Sequence, residues 1–68
     1  MTGEIVEVAS QLVGSPVLLT GKDGSTVVAY LKNVVGTRLM VKLVGTSSVF
    51  SSGPVSAFDV VAIEGVSV

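Results

Sequence analysis

A chain of 68 residues that is 49% hydrophobic, 13% charged and carries a net charge of −1 has room for one domain and is too apolar to be intrinsically disordered. It contains no cysteine and no histidine, which excludes disulfide staples, thiol nucleophiles and zinc sites of the usual Cys/His kind. Its cations, Lys22, Lys32, Arg38 and Lys42, are too few for one subunit to grip a duplex through its phosphates, although a symmetric ring would multiply each of them.

Residues 4–13 have a helical period. Ile5, Val8, Ala9, Leu12 and Val13 fall on one face, and Glu4, Glu7, Ser10 and Gln11 lie largely on the other. Thr2 is placed to cap this helix and Gly14 to end it before Ser15 and Pro16. The polar face carries carboxylates and no lysine, so the helix is expected to lie as a lid over a barrel end and not on a membrane.

From Val17 the period becomes that of strands, expected at about 16–20, 25–33, 38–44, 48–52 and 60–64. The Asp23-Gly24 pair marks a tight hairpin turn between the first two. In the second, Val27, Ala29 and Leu31 share a face opposite Val28, Tyr30 and Lys32, with Tyr30 expected to pack and leave its hydroxyl at a boundary. The next reversal is expected over Asn33 to Thr37. The third strand alternates, with Leu39, Val41 and Leu43 inward and Arg38, Met40 and Lys42 outward. Val49 and Phe50 suggest a short fourth strand, and a single 3₁₀ turn, with Asp59 capping it, precedes the last strand. The pattern is mainly β: an N-terminal α-helix followed by a five-stranded, strongly bent antiparallel barrel of the small SH3-like or Sm-like type.

So small a domain cannot bury this much aliphatic surface alone, and neither Val49-Phe50 nor Val60 to Ile63 carries the lysine or proline that blocks natural edge strands. Self-association is therefore expected through Val49, Phe50, Val60, Val61 and Ile63, closing into a ring. No catalytic pair, cofactor loop or metal site is expected. Acid–base work would fall to Glu4, Glu7, Asp23, Asp59 and Glu64, and none of these is spaced to push two pKa values apart. The start of the chain lacks a basic leader and no apolar run reaches the length of a bilayer span, so a soluble cytoplasmic protein is expected.

The element order, with its hairpin around Gly21-Lys22-Asp23-Gly24, the segment Leu31-Lys32-Asn33 and then Arg38-Leu39-Met40-Val41-Lys42-Leu43, resembles the Sm-like family, which includes the bacterial Hfq proteins and the archaeal and eukaryotic Sm rings. The chain looks like a compact, divergent member of phage or metagenomic type. Ala29, Val35 and Thr37 or Arg38 stand where the family's first signature has Gly, Asp and Asn, and Ile63-Glu64-Gly65 stands where its second has Ile-Arg-Gly. The resemblance implies rings of roughly five to seven copies, joined strand four to strand five, that bind single-stranded RNA near the pore. It maps the RNA-binding loops onto Asn33, Thr37 and Arg38 and onto Ser51 and Ser52, with Arg38 the foremost because a guanidinium both holds phosphate and stacks on a base. The alternative is a structural or adaptor oligomer that binds protein, favoured by low basicity and by outward aliphatics such as Val28 and Met40.

Overall fold

The computed structural model describes residues 2–47 and 49–66. Helix α1 (Thr2–Gln11) precedes strands β1 (Pro16–Gly21), β2 (Thr26–Val35), β3 (Arg38–Leu43), β4 (Gly53–Ser56) and β5 (Val60–Gly65), with a 3₁₀ turn at Ala57–Asp59 before β5. Every pairing is antiparallel, and the order across the sheet is β4-β3-β2-β1-β5. The fold is thus mainly β, with an N-terminal helix and one bent five-stranded sheet that stays open at β4 and β5. No helix among the described residues is long and apolar enough to cross a membrane.

Helix α1 begins at Thr2, so that residue opens the helix instead of standing before it, and it ends two residues sooner than its apolar period suggests. Leu12 N–H already bonds to the Ala9 carbonyl at 2.9 Å, a tightened last turn, and Gly14 then takes φ +89° and donates to the Leu31 carbonyl at 2.7 Å. Ile5 and Ala9 are buried and Val6 and Leu12 pack beside them, whereas Val8 and Val13, expected on the same stripe, are exposed. The helix lies against β5, β2 and the 3₁₀ turn.

The β1–β2 hairpin turns where expected. Gly24 N–H donates to the Gly21 carbonyl at 3.0 Å, Gly24 takes φ +87°, and Asp23 Oδ1 accepts from the Ser25 N–H and hydroxyl. Strand β2 runs on to Val35, so Asn33 is a strand residue opposite Met40, and only Gly36 and Thr37 reverse the chain. Gly36 supplies φ +60° at the first position of that two-residue loop. A straight strand of ten residues would span about 30 Å. That exceeds each principal dimension of the molecule, 25 × 24 × 19 Å, and β2 is bent at a register shift between Leu31 and Asn33.

The fourth strand departs from the sequence reading. It occupies Gly53–Ser56, not residues 48–52, of which Ser48 lies outside the described residues. The Ser47 hydroxyl accepts from the Val49 and Phe50 N–H groups at 3.1 and 3.0 Å, so that segment is held by a side chain and not by a ladder. Phe50 then plugs the core, and Val55 fills the inward position of β4. Of the three residues expected inward on β3, Leu39 and Val41 are buried and Leu43 is half-buried; Val17, Leu19, Val27, Ala29 and Leu31 are buried as well, and no polar side chain among the described residues is.

The hydrogen-bond phase identifies what each edge leaves unpaired. Ala57 N–H bonds to the Thr37 carbonyl, so alternation directs Val55 and Gly53 at β3 and leaves Ser56 and Pro54 facing the free side of β4. Pro54 therefore lacks its N–H where the sheet has no use for it, and Ser56 is the one free-edge donor of this strand. This corrects the expectation of an unblocked edge, since the true β4 carries the proline. On β5, Val66 N–H bonds to the Pro16 carbonyl at 3.1 Å; Glu64 and Ala62 thus face β1, and Ile63 and Gly65 turn their N–H and C=O groups outward.

Candidate nucleic-acid interface

One end of the sheet gathers two turns. The β2–β3 turn ends at Thr37, with Arg38 opening β3 beside it, and the 3₁₀ turn is tied to it by the 2.8 Å bond from Ala57 N–H to the Thr37 carbonyl. Arg38 stands directly opposite Ser56 in the β3–β4 register. The Ser56 hydroxyl caps the 3₁₀ turn by accepting the Phe58 N–H at 3.2 Å, and Val60 N–H closes it on the Ala57 carbonyl. Ala57 is buried beneath, so the turn is anchored at its base and at both ends. Phe58 is nevertheless 60% exposed, with Val35 exposed at the end of β2 beyond Arg38.

Sequence reasoning did not select Phe58. The available signal was an aromatic in a short connection that follows a Ser able to cap it, and that signal is visible only once β4 is placed at 53–56. Asp59 was expected to cap this turn, but Ser56 does so; Asp59 instead reaches Lys22 at 4.0 Å, an exposed pair of little energetic weight. That is the only ion pair among the described residues, so Lys32, Arg38 and Lys42 face solvent without a carboxylate against them.

Of the residues mapped to RNA, Thr37 and Arg38 lie at the joined turns and the other three do not. Asn33 sits within β2 and its Oδ1 accepts from Val34 N–H at 2.9 Å. Ser51 and Ser52 precede β4, at the opposite end of that strand from Ser56, and the connection from β4 to β5 is Ala57–Asp59 instead. The Ser52 hydroxyl is already engaged, accepting from Leu43 N–H at 3.0 Å.

The residues assigned to self-association also divide. Phe50 and Val60 are buried in the chain's own core, which corrects their assignment to an interface, and Ile63 is half-buried opposite Leu19. Val61 is 53% exposed at the register shift of β5, and Val49 is exposed in the loop before Phe50. Tyr30, expected to pack, is 51% exposed between Pro16 and Lys42 on the outer face, while Met40 is half-buried opposite Pro54.

Among the described residues no cavity opens in the surface and no group of His, Cys, Asp or Glu could hold a metal ion. The Asp23 carboxyl is held below its ordinary range by the Ser25 hydroxyl first and the Ser25 N–H second. What the joined turns present is the exposed side chains of Thr37, Arg38 and Phe58. Comparison of the chain with protein-family models, with curated proteins and with solved structures finds no match.

Proposed function

We propose that this chain is a subunit of an Sm-like homo-oligomeric ring, of roughly five to seven copies, that holds single-stranded RNA against the joined turns. The observation that carries the reading is the strand order β4-β3-β2-β1-β5 with a 3₁₀ turn between β4 and β5 hydrogen-bonded to the β2–β3 turn. That arrangement brings the connection from β4 to β5 beside Thr37 and Arg38, two of the residues that the family resemblance maps to RNA. Arg38 contacts phosphate, and the Phe58 ring offers a surface on which an unpaired base stacks. Unpaired backbone groups on β5 and on the Ser56 side of β4 supply the seam between copies.

The test is a fluorescence titration of uridine-rich and adenosine-rich oligomers at low and moderate salt, with the mass of the protein measured under native conditions in parallel. Arg38→Ala is expected to weaken binding of all sequences and flatten its salt dependence. Phe58→Ala is expected to cost about 1–3 kcal/mol per stacked base. Absence of binding at low salt removes the RNA reading.

A second reading, a structural or adaptor oligomer without a nucleic-acid ligand, draws support from the exposed Val35, Phe58 and Val61 and from the single cation at the joined turns. An assembly that persists and ignores both oligomers favours it.

A further inference from the structure

The outer face of the β2–β3 ladder gathers charge of one sign around an exposed aromatic. Tyr30 stands directly opposite Lys42, and Asn33 opposite Met40. Lys32 is the extra residue at the register shift between Leu31 and Asn33. Leu31 is buried, so alternation turns Lys32 outward beside Tyr30, and the bulge keeps Asn33 on that same side. Tyr30, Lys32 and Lys42 are all exposed, and the half-buried Val28 and Met40 flank them. Residues 24–58 contain Lys32, Arg38 and Lys42 and no carboxylate. Among the strands the only carboxylate is Glu64 on β5, opposite Leu18 and two strands from β2, which is about 10 Å of sheet. Among the described residues nothing covers this face, because Ile5 and Ala9 of α1, and Phe50, pack with Val27, Leu31 and Leu39 on the other side of the sheet. Both strands are interior to the order β4-β3-β2-β1-β5, so pairing between copies at the edges leaves the face open.

From this we infer that the outer β2–β3 face is a binding surface of its own for single-stranded nucleic acid, on which a base stacks against Tyr30 while the flanking phosphates meet Lys32 and Lys42. A solvated face ordinarily intersperses both signs of charge; here two ammonium groups border one ring with no carboxylate between them, and an anion relieves their repulsion. A small molecule would need a concave site, and no cavity opens among the described residues, whereas a flat sheet carrying an aromatic matches the flat face of an unpaired base. Stacking reads no base edge, so this face is expected to take RNA and DNA alike and to discriminate weakly among sequences. It is complete within one subunit. The inference therefore depends neither on the ring nor on Phe58, although Arg38, with the same strand parity as Met40 and Lys42, makes the face continuous with the joined turns.

Tyr30 is the chain's one tyrosine and there is no tryptophan, so intrinsic fluorescence reports on this face directly. The experiment titrates oligouridylate and oligothymidylate of about eight nucleotides, a length within the usual span of a stacking site, and follows Tyr30 emission together with the anisotropy of end-labelled oligomers from low to moderate salt. The variants are Tyr30→Leu, Tyr30→Phe, Lys32→Gln/Lys42→Gln and Phe58→Ala, each first shown to be folded by circular dichroism; wild-type emission and the lysine variant decide the matter should Tyr30→Leu fail to fold. Both oligomers are expected to quench Tyr30, and to go on quenching it in Phe58→Ala. Tyr30→Leu is expected to weaken binding roughly tenfold and Tyr30→Phe to preserve it. The lysine variant is expected to lower the slope of log affinity against log salt by about 1.4, two phosphates' worth. Oligomers that bind without quenching Tyr30, and that respond to Phe58→Ala but not to the lysine variant, overturn this face and leave the joined-turn reading in place. Polyglutamate that binds as tightly as the oligomers and is indifferent to Tyr30→Leu overturns the inference in favour of an acidic protein partner. Failure of both oligomers to bind the wild-type chain at low salt overturns this face and the joined-turn reading together.

Discussion

The amide of Leu43 donates to the hydroxyl of Ser52 at 3.0 Å, which carries the β3–β4 pairing past the last backbone rung at Val41 and Gly53. A side chain here does the work of a strand residue and steers the loop back onto β3. Replacing Ser52 with Ala leaves that amide without its acceptor and is expected to cost about 1 kcal/mol in urea unfolding. RNA binding is expected to be unchanged, since the hydroxyl is engaged within the fold and lies far along β4 from Arg38.

Leu39 and Val44 provide a contrast in burial within one stretch of chain. Leu39 is fully buried at the centre of the core, and Val44, just past the end of β3, is 58% exposed. Leu39→Ala is expected to destabilise by about 3–5 kcal/mol, enough to unfold a domain of this size at ordinary temperatures, while Val44→Ala stays within about 0.5 kcal/mol. Thermal melts of both variants check this; comparable losses would show that the core has been misplaced.

Two glycines separate conformational need from mere openness. Neither Gly53 nor Gly45 has an atom near the place a Cβ would take, but Gly53 holds φ +115°, a backbone that an L side chain rarely adopts. Gly53→Ala is expected to cost about 1–3 kcal/mol through that strain. Gly45→Ala, in the loop after β3, is expected to be neutral within about 0.5 kcal/mol. Paired denaturation curves decide between them.

The pH response is expected to be narrow, because no charged group is buried among the described residues. The Asp23 carboxyl is held below its ordinary value of 3.8 by the Ser25 hydroxyl and amide. A carboxyl whose folded pKa is depressed contributes stability that is present above its unfolded value and lost as pH falls through the folded one. The melting temperature is therefore expected to be level from about pH 5 to 8 and to drop below about pH 4, with part of that drop absent in Asp23→Asn. A melting temperature that changes steeply near neutral pH would contradict this.

The sequence disclosed what depends on alternation and turn chemistry. Leu39, Val41, Val27 and Ala29 alternate too cleanly to misread, and Asp23-Gly24 and Gly36 mark reversals that the structure uses. It concealed β4, because Val49-Phe50 is the more strand-like pair by side chain while Gly53-Pro54-Val55-Ser56 is the segment that β3 accepts. Only the sheet's phase reveals that Pro54 points its missing N–H at empty space, and propensity carries no such information. That one displacement moved Ser51 and Ser52 out of the candidate site and hid Phe58. The narrower error on α1 has a similar origin, since Val8 and Val13 fit the helical period but the helix is too short, and too steeply ended at Gly14, to press them inward.

The three residues between β4 and β5 act as a strap. Ala57 is bonded to the tip of one hairpin at Thr37, and Asp59 comes within 4.0 Å of Lys22 on the tip of the other. Lengthening the chain at that strap would loosen its tie to Thr37, whereas extra residues at Gly45 and Thr46, where the loop is exposed, leave that tie alone. A reporter domain or affinity tag belongs in the second place, and a deliberate hinge in the first.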